Sequence, residues 1–374
     1  MVFFGGRNSK AHKDYVAIDV VAYFIVRCLL KMPEVRVAGD RFLGEGHPAF
    51  IIAEIGANHN RSLKMAKELI DMAVEARADA VKLQIYSADT LYSRKTPRHS
   101  GYEKDLHTLI EEIETPREWL PELALYCREK KILFFATPFD IQAVDELDEV
   151  SSFFKIASFE LVDLELLRYC ALKGKPLIIS TGLANMEEIE QAYLCCKNAG
   201  NEQVVFLQCA SMYPSPPHIM NLRSMETLRR AFGTPVGLSD HTLGIHVSVA
   251  AVAMGASVIE KHVTLDRTLP GPDHPFAIEP SELKEMVRQI REVEAALGDG
   301  RKLGPAPEEM EFYAKARRSI HAARDIPKGT VLTREMLCIK RPGYGIAPKN
   351  VEILPGRLAM RDIEADEWIT WDMV

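Results

Sequence analysis

The chain has 374 residues, 47% of them hydrophobic and 26% charged, so it is long enough for one large globular domain and a smaller one. Its net charge of -7 and pI near 5.9 argue against broad electrostatic attraction to nucleic acid or to an anionic membrane surface. The seven cysteines show neither a CxxC pair nor a disulfide-type spacing, which favours a reducing, cytoplasmic location.

The first 46 residues are predicted to be an N-terminal extension. Within them, residues 15–30 form an apolar run that is short for a membrane span and is interrupted by Asp19 and Arg27. We therefore expect no membrane segment there, but either an additional surface helix or a natural start of the protein at Met32.

Eight short apolar runs from residue 50 onward are typical of strands buried on both faces. They are FIIAEIG (50–56), AVKLQIY (80–86), ILFFATPF (132–139), FFKIASFE (153–160), PLIISTG (176–182), VVFLQCAS (204–211), PVGLSD (235–240) and SVIEKHVT (257–264). Amphipathic segments separate most of them. This alternation predicts an α/β fold, a closed (β/α)8 TIM barrel, over residues 47–297. The long polar stretch 87–115 is a candidate lid or rim loop.

The region after the barrel is predicted to be a separate small domain. The eighth helix is expected at 281–297, and the Gly- and Pro-rich stretch after it predicts a linker over 298–316. Residues 317–374 hold short apolar runs separated by PKG, PGYG and LPG turns, a pattern that predicts a β-rich module.

Two histidines end the last two strands of the predicted barrel. His241 and His262 are separated by a small, apolar stretch, 243–255, that is typical of a crossover helix. Because the carboxyl ends of parallel strands lie at one rim, both imidazoles are expected there and could share a metal ion. A lone histidine in an apolar run is more often a core residue, but the pair favours a metal whose open coordination positions face substrate and water. His59 and His246 are predicted to be surface or supporting residues.

Two lysines lie inside apolar strand runs. Lys82 and Lys155 must find an anion, because a buried unpaired ammonium group is costly. Internal ion pairs, to Glu54 and Glu160 respectively, are one solution. Hydroxyl groups at the same strand ends favour another, a cradle for the phosphate and the carboxylate of one small molecule. These hydroxyl groups belong to Thr137, Ser158, Ser180 and Ser239.

The sequences of these motifs and their order along the chain resemble those of one known family. The runs IIAEIGANHNRS, AVKLQIY, ATPFD, FFKIASFE, IISTG, GLSDHTLG, VIEKHVTLD, GPDH and KRPGYG are similar to those of the sialic acid (N-acetylneuraminate) synthase family, which includes pseudaminic and legionaminic acid synthases. The resemblance extends from about residue 48 to the end of the chain. It implies a TIM barrel followed by an antifreeze-like (SAF, β-clip) domain, and a domain-swapped homodimer in which each small domain covers its partner's site.

The resemblance also implies a reaction. Phosphoenolpyruvate would condense with an N-acylated hexosamine bearing a free aldehyde, giving a nine-carbon 2-keto sugar acid and phosphate. His241 and His262 would hold a divalent metal, Mn²⁺ or Mg²⁺. Phosphoenolpyruvate would be bound by Lys82, Thr137, Lys155, Ser158, Ser180 and Ser239. The sugar would be bound by Glu54, Gln84, Tyr213 and Asp273, and by Arg341 from a second copy of the chain.

Further substrate contacts are predicted at Glu160 and Ser211. Glu54 is also assigned a catalytic role beside the two histidines: its carboxylate would stabilise a cationic stage at C2 of phosphoenolpyruvate or steer the water that adds there.

The identity of the acceptor stays open. The stretch Cys209-Ala210-Ser211 lacks one polar residue usual in the sialic acid branch, and KIASFE, LQIYSADTL and TPREW lean toward the pseudaminic and legionaminic branches. In contrast, GPDH and FAIEPSELK look more like the sialic acid branch. N-acetylmannosamine and a 2,4-diacetamido-trideoxyhexose are therefore both candidates. Two other functions are less favoured. A synthase making a phosphorylated sugar acid would require an extra basic cluster, and a non-catalytic carbohydrate-binding protein would use mainly the small domain.

Overall fold

The computed structural model describes residues 34–96 and 105–374. The apolar run 15–30 and the predicted start at Met32 lie outside these residues. The chain divides after Gly298 into two compact units, the second being Asp299–Val374. Within the described residues no helix combines the length and the apolar character needed to cross a membrane.

The first unit is built on eight parallel strands, which confirms the predicted TIM barrel. The strands are β3 Phe50–Glu54, β4 Ala80–Ile85, β5 Leu133–Pro138, β6 Phe154–Ile156, β7 Leu177–Ser180, β8 Val204–Cys209, β9 Val236–Asp240 and β10 Val258–His262. Their order in the sheet is β5-β4-β3-β10-β9-β8-β7-β6, so the chain adds strands in sequence around a nearly closed barrel. Each strand is one to five residues shorter than the predicted run, because residues at one or both ends of the run belong to the connecting loops.

Helices surround these strands, and the predicted ones are present. They are α1 Leu63–Glu75, α2 Ala88–Leu91, α3 Leu106–Ile113, α4 Leu120–Lys130, α5 Ile141–Val150, α6 Leu164–Leu172, α7 Met186–Asn198, α8 Ser224–Phe232, α9 His246–Ala253 and α10 Pro280–Leu297. Four of them differ from expectation. Helices α2 and α3 lie within the stretch 87–115, which was predicted as a lid or rim loop. The acidic α5, capped by Asp140 at Ala143 N–H, was not predicted, and α9 begins at His246 rather than at residue 243.

The side chains that point into the barrel change character along its axis. Side chains alternate between the two faces of a strand, so residues two apart share the interior. At the amino ends these residues are apolar: Phe50, Ile52, Ala80, Phe135, Phe153, Ile178, Val205, Leu207 and Val258. Two residues further along the same strands stand Glu54, Lys82, Thr137, Lys155, Ser180, Cys209 and Glu260. The carboxyl end of the barrel is therefore lined by polar and ionisable groups above an apolar floor.

A short hairpin closes the amino end of the barrel. Its strands, β1 Val35–Ala38 and β2 Arg41–Leu43, pair antiparallel. Val35, Val37 and Leu43 are buried in the same apolar cluster as the barrel interior. The described part of the predicted N-terminal extension is thus packed with the barrel core.

The second unit has its own small apolar core. It contains α11 Met310–Ala316 and two antiparallel strands, β11 Ser319–Ala322 and β12 Leu337–Lys340. Isolated bridges such as Ile326 with Ile363 extend this pairing around a core that includes Ile320, Leu354 and Ile369. Helix α11 lies within the stretch predicted as linker.

Candidate active site

A group of buried charges occupies the carboxyl end of the barrel. Lys82 Nζ lies 2.9 Å from Glu54 Oε2 and 3.6 Å from Glu260 Oε1. Lys155 Nζ lies 3.8 Å from the same Glu260 oxygen. One carboxylate therefore stands between the two lysines. The predicted Lys82–Glu54 pair is present, whereas Lys155 pairs with Glu260 and not with Glu160.

Burial and neighbouring charge act in opposite directions on these groups. Burial lowers the pKa of Lys155. Burial also favours neutral Lys82, but Glu260 and Glu54 outweigh it and raise the pKa of Lys82. Burial raises the pKa of Glu54 to about 7 even though Lys82 opposes the shift. For Glu260 the two lysines win over burial and hold its pKa below the ordinary value. Glu260 is thus the permanent anion of the group, and Glu54 is poised to exchange a proton near neutral pH.

Hydroxyl groups surround the lysines. Lys155 Nζ donates to Ser180 Oγ at 2.7 Å, and Lys82 Nζ donates to Thr137 Oγ1 at 3.1 Å. Ser239 Oγ donates to Glu260 Oε1 at 3.3 Å. These contacts place the predicted hydroxyls of β5, β7 and β9 beside the two ammonium groups.

A glycine lets two further serines approach the same place. Gly182 N–H donates to Ser158 Oγ at 3.0 Å. A Cβ atom at Gly182 would stand 2.3 Å from Ser211 Oγ and 2.7 Å from Ser158 Oγ, so a side chain there would fill the space between them. Ser211 Oγ is buried and makes no hydrogen bond. The two hydroxyls form an open cradle suited to an anion, with the Gly182 amide holding Ser158 in place.

The two predicted metal-binding histidines lie together. The ring centroids of His241 and His262 are 5.4 Å apart, and both rings pack against Phe276. His241 Nδ1 lies 2.9 Å from Ala210 O, and because a carbonyl only accepts, Nδ1 carries the hydrogen and Nε2 keeps its lone pair. The ring of Tyr213 stacks 4.3 Å from that of His241.

The pKa values of the two imidazoles shift in opposite directions. Burial, His241 and Lys82 all act to hold the pKa of His262 well below its usual value, so this ring is neutral at pH 7. Burial also acts to lower the pKa of His241, but the Cys209 thiol, with Sγ 3.7 Å from Nδ1, outweighs it and raises that pKa.

The donor set suits a weakly held divalent cation. Two imidazoles face each other, and His262 Nδ1 is buried without a hydrogen bond, 3.6 Å from Asp273 Oδ2. Across residues 34–96 and 105–374 there is no group of three or more histidine, cysteine, aspartate or glutamate side chains placed to hold a metal. A cation here would therefore take its remaining ligands from water or substrate.

Another glycine brings the predicted sugar-binding carboxylates together. Gly56 has φ +52°, and a Cβ atom there would meet Asp273 Oδ2 at 3.0 Å and Glu54 Oε1 at 3.3 Å. Gln84 Nε2 donates to Glu54 Oε1 at 2.8 Å. Burial raises the pKa of Asp273 to about 6. Glu54, Gln84 and Asp273 thus form one polar edge beside His262.

The remaining predicted residues fall into two groups. Glu160 follows β6, and its Oε2 is buried without a hydrogen bond, which raises the pKa of this carboxyl to about 7. Arg341 is exposed on the second unit. His246 is exposed as predicted, but His59 is fully buried and bonds Thr115 Oγ1 at 2.9 Å, so its prediction as a possible surface residue was wrong.

Three residues of the site escaped sequence analysis. Glu260 lies two residues before His262 on one strand, and that spacing could have revealed that both face the interior. Cys209 follows the same alternation on β8. Phe276 stands in an irregular segment after β10, where no pattern signals its contact with the histidines.

A second buried ion pair lies on the opposite face of the same two strands. Asp240 and Lys261 are each 1% exposed, and Lys261 Nζ lies 3.0 Å from Asp240 Oδ2. Asp240 also accepts hydrogen bonds from Thr242 N–H, Thr242 Oγ1 and Ser248 Oγ, while Lys261 Nζ donates to Thr242 O. This network is complete without any ligand.

Comparisons with known proteins agree with this fold and its division into two domains. Residues 69–302 match the NeuB family, and residues 317–374 match the SAF domain. The N,N'-diacetyllegionaminic acid synthase of Campylobacter jejuni is 40% identical, over 85% of this chain and 98% of its own. The human N-acetylneuraminate-9-phosphate synthase is 38% identical, over 91% of this chain and 97% of its own.

One solved structure adds a three-dimensional match. The N-acetylneuraminic acid synthetase of Leptospira borgpetersenii, crystallised with citrate, is 36% identical and superposes with a TM-score of 0.69, covering 75% of this chain and 95% of that one. The resemblance inferred from the motifs is confirmed: the chain belongs to the NeuB family of sialic acid-type synthases and carries a C-terminal SAF domain.

Proposed function

We propose that the chain condenses phosphoenolpyruvate with an N-acylated hexosamine and releases phosphate, giving a nine-carbon 2-keto sugar acid. The observation that carries this proposal is a set of buried polar atoms without hydrogen-bond partners at the barrel mouth. Glu160 Oε2, Ser211 Oγ, Glu260 Oε2 and His262 Nδ1 all belong to it. Buried polar groups are almost always paired in folded proteins, so their shared location points to a polar ligand that completes them.

The lysines and hydroxyls suit the two anionic groups of phosphoenolpyruvate. Lys82 and Lys155 would each face one of them, with Thr137, Ser180 and Ser239 as hydroxyl donors. Ser158 and Ser211 would add further hydroxyl donors. Arrival of the substrate would add an anion to the two ammonium groups, which form ion pairs with Glu54 and Glu260 among the described residues.

The proposed reaction forms one carbon–carbon bond and breaks one carbon–oxygen bond. C3 of phosphoenolpyruvate attacks the aldehyde carbon, the aldehyde oxygen takes a proton, and positive charge develops at C2. Water adds to C2 and gives up a proton, which leaves a hydroxyl on C2. As the C2–O bond to phosphate breaks, this hydroxyl becomes the keto oxygen and its proton passes to the departing phosphate. Glu54 is placed to stabilise the cationic stage or to take the proton from water, because its pKa near 7 allows either state.

We further propose that His241 and His262 hold a divalent cation, Mn²⁺ or Mg²⁺. Such a cation would polarise the aldehyde oxygen of the acceptor as a Lewis acid. The chain's own contribution is to present the two imidazoles: the Ala210 carbonyl orients His241, and Phe276 packs against both rings. A chelator should abolish turnover, excess Mn²⁺ or Mg²⁺ should restore it, and His241→Ala should weaken Mn²⁺ binding measured by calorimetry. Full turnover in chelator would remove the metal from the proposal.

The acceptor would lie beside Glu54, Gln84, Tyr213 and Asp273. N-acetylmannosamine and a 2,4-diacetamido-trideoxyhexose both fit this description, and the relatives named above make products of both types. Arg341 would reach the acylamino group from a second copy of the chain in a homodimer. A dimer in solution, and loss of acceptor affinity in Arg341→Ala, would support that role. A fully active monomer would contradict it.

The proposal is tested by measuring phosphate release from phosphoenolpyruvate with each acceptor. We expect phosphate and a 2-keto acid in equal amounts, only when both substrates are present. When the bridging oxygen between C2 and phosphorus is labelled with ¹⁸O, the label should leave with phosphate. Release without an acceptor, or label retained in the sugar acid, would contradict the proposed chemistry.

A further inference from the structure

A polar cavity of about 250 Å³ lies at the rim, next to the part of the mouth assigned to the acceptor. It is bounded by the loop after β3, the end of β4 and residues 114–118, which follow α3. Its lining residues are Arg61, Tyr86, Ser87, Glu114, Thr115, Pro116, Arg117 and Glu118. A space of this size holds several water molecules, so it has room for a substituent of a sugar.

Tyr86 connects this cavity to the mouth. The residue is 4% exposed, and burial followed by the carboxylates of Asp273, Glu114 and Glu54 raises the pKa of its phenol. Asp273 and Glu54 belong to the mouth, whereas Glu114 lines the cavity. Tyr86 lines the cavity and lies two residues beyond Gln84, whose Nε2 donates to Glu54 Oε1 at the mouth. A sugar whose aldehyde end lies beside Glu54 would therefore extend past this end of β4 toward the rim.

The two arginines of the cavity differ in their pairing. Arg117 is held by Asp140 at 2.5 Å and by Glu146 at 3.1 Å, so its charge is matched. Arg61 donates through Nη1 to Glu111 O at 2.7 Å and, among the residues the structure describes, has no ion-pair partner. A guanidinium has five N–H donors, and most of those of Arg61 are left for a ligand.

The backbone at Arg61 is held in an unfavourable conformation. Asn60 and Arg61 have φ of +46° and +52°, values that glycine adopts at lower cost. Two contacts hold the turn: Arg61 N–H donates to His59 Nδ1 at 3.0 Å, and His274 Nε2 lies 3.2 Å from Asn60 Oδ1. Such conformations cluster at functional sites, where the surrounding structure enforces them. Here the turn carries the unpaired guanidinium.

The charges of the cavity determine which substituent fits. Glu114 and Glu118 contribute carboxylates, so a phosphate would meet two negative groups and one unmatched arginine. A neutral group with a carbonyl oxygen for Arg61 and an N–H for a carboxylate suits all three. From this geometry we infer that the rim cavity binds a second acylamino group, at the end of the acceptor away from the aldehyde, and that Arg61 determines this specificity.

This inference rests on the proposed condensation and is tested by comparing acceptors. We expect the wild-type chain to use a 2,4-diacetamido-trideoxyhexose with kcat/KM at least about tenfold above N-acetylmannosamine and N-acetylmannosamine 6-phosphate, the value of one charged hydrogen bond. In Arg61→Ala the KM for the diacetamido acceptor should rise about tenfold, with kcat and the KM for phosphoenolpyruvate nearly unchanged. The preference over N-acetylmannosamine should then largely disappear.

The matched control is Arg77→Ala. Arg77 is also exposed and also has positive φ, +62°, but it lies between α1 and β4 at the amino end of the barrel. This variant should keep the wild-type preference. If Arg61 had only a structural role, Arg61→Ala would lower the stability of the protein and impair turnover of all acceptors equally. If none of the acceptors supports turnover, the proposed function and this inference are overturned together. Turnover that prefers the phosphorylated or the monoacetylated acceptor, or a preference unchanged in Arg61→Ala, overturns the inference alone.

Discussion

Two clusters of buried charge lie back to back on β9 and β10, and only one of them is complete. On the outer face, Asp240 and Lys261 satisfy each other with Thr242 and Ser248. On the inner face, Glu260 lies between two lysines that it contacts only at 3.6 and 3.8 Å, with one of its oxygens unpaired. A closed network of this kind stabilises a fold, whereas an open one loses stability until a ligand arrives. Adjacent residues of one strand therefore have different roles: Lys261 belongs to a structural charge cluster and Glu260 to a functional one.

The largest expected effect comes from opening the inner cluster further. Lys155→Met removes one ammonium group from the proposed phosphoenolpyruvate cradle, so turnover should fall roughly 10³-fold or more. The midpoint of urea unfolding should change far less, because Glu260 retains Lys82. Phosphate-release kinetics and urea titration on the same preparation measure both quantities. Near-normal turnover would contradict the assignment of the inner cluster as substrate-binding.

The outer cluster should respond in the opposite way. Lys261→Met leaves Asp240 buried without its cation, which should cost about 3–5 kcal/mol in the free energy of unfolding. Turnover per folded molecule should fall far less than in Lys155→Met. Should the two variants show the same ratio of lost stability to lost turnover, the distinction between the clusters would not hold.

Glu160 offers a pH test of the open cluster. Its pKa rises from about 4.5 to about 7 on folding, so between these values the unfolded chain has released a proton that the folded chain keeps. Wild-type stability should therefore fall as the pH rises through this window, by about 1–3 kcal/mol because water reaches part of the carboxyl. Glu160→Gln should remove that loss. Urea unfolding at pH 5 and pH 7.5 compares the two proteins, and equal pH profiles would show that Glu160 ionises freely.

The smallest expected effect on turnover is that of Gly182→Ala, and Gly237 serves as its comparison because its neighbours differ. A Cβ atom at Gly182 would meet the movable hydroxyls of Ser211 and Ser158, so Gly182→Ala should mainly raise the KM for phosphoenolpyruvate, by about tenfold. At Gly237 the nearest atom is the backbone oxygen of Val258, at 2.3 Å. Gly237→Ala should therefore impair folding, seen as loss of soluble protein or of thermal stability. A normal KM in Gly182→Ala would argue against the cradle.

The barrel could be predicted because its signals are local. β-Branched apolar runs such as AVKLQIY report burial on both faces, and their alternation with amphipathic segments allows few other folds. Helix α5 escaped because four of its ten residues are acidic, which weakens the apolar pattern. The start of α9 was misplaced because Gly244, with φ +73°, turns the chain before the helix begins.

Only those site residues that lie at the ends of strand runs could be predicted from the sequence. Lys82, Lys155 and the two histidines were found because their types are unusual inside apolar runs. Their partners depend on distances across the barrel, which alternation along one strand does not encode, so Lys155 was assigned to Glu160 instead of Glu260. The burial of His59 depends on Thr115 and Trp119, more than fifty residues away.

The hairpin at the amino end has a consequence for traffic through the barrel. Val35, Val37 and Leu43 pack in one apolar cluster with Phe50, so side chains fill the barrel interior on that side. In the proposed condensation, both substrates and both products would then pass through the carboxyl end. A phosphoenolpyruvate bound at Lys155 would enter before the sugar, and phosphate would leave after the sugar acid.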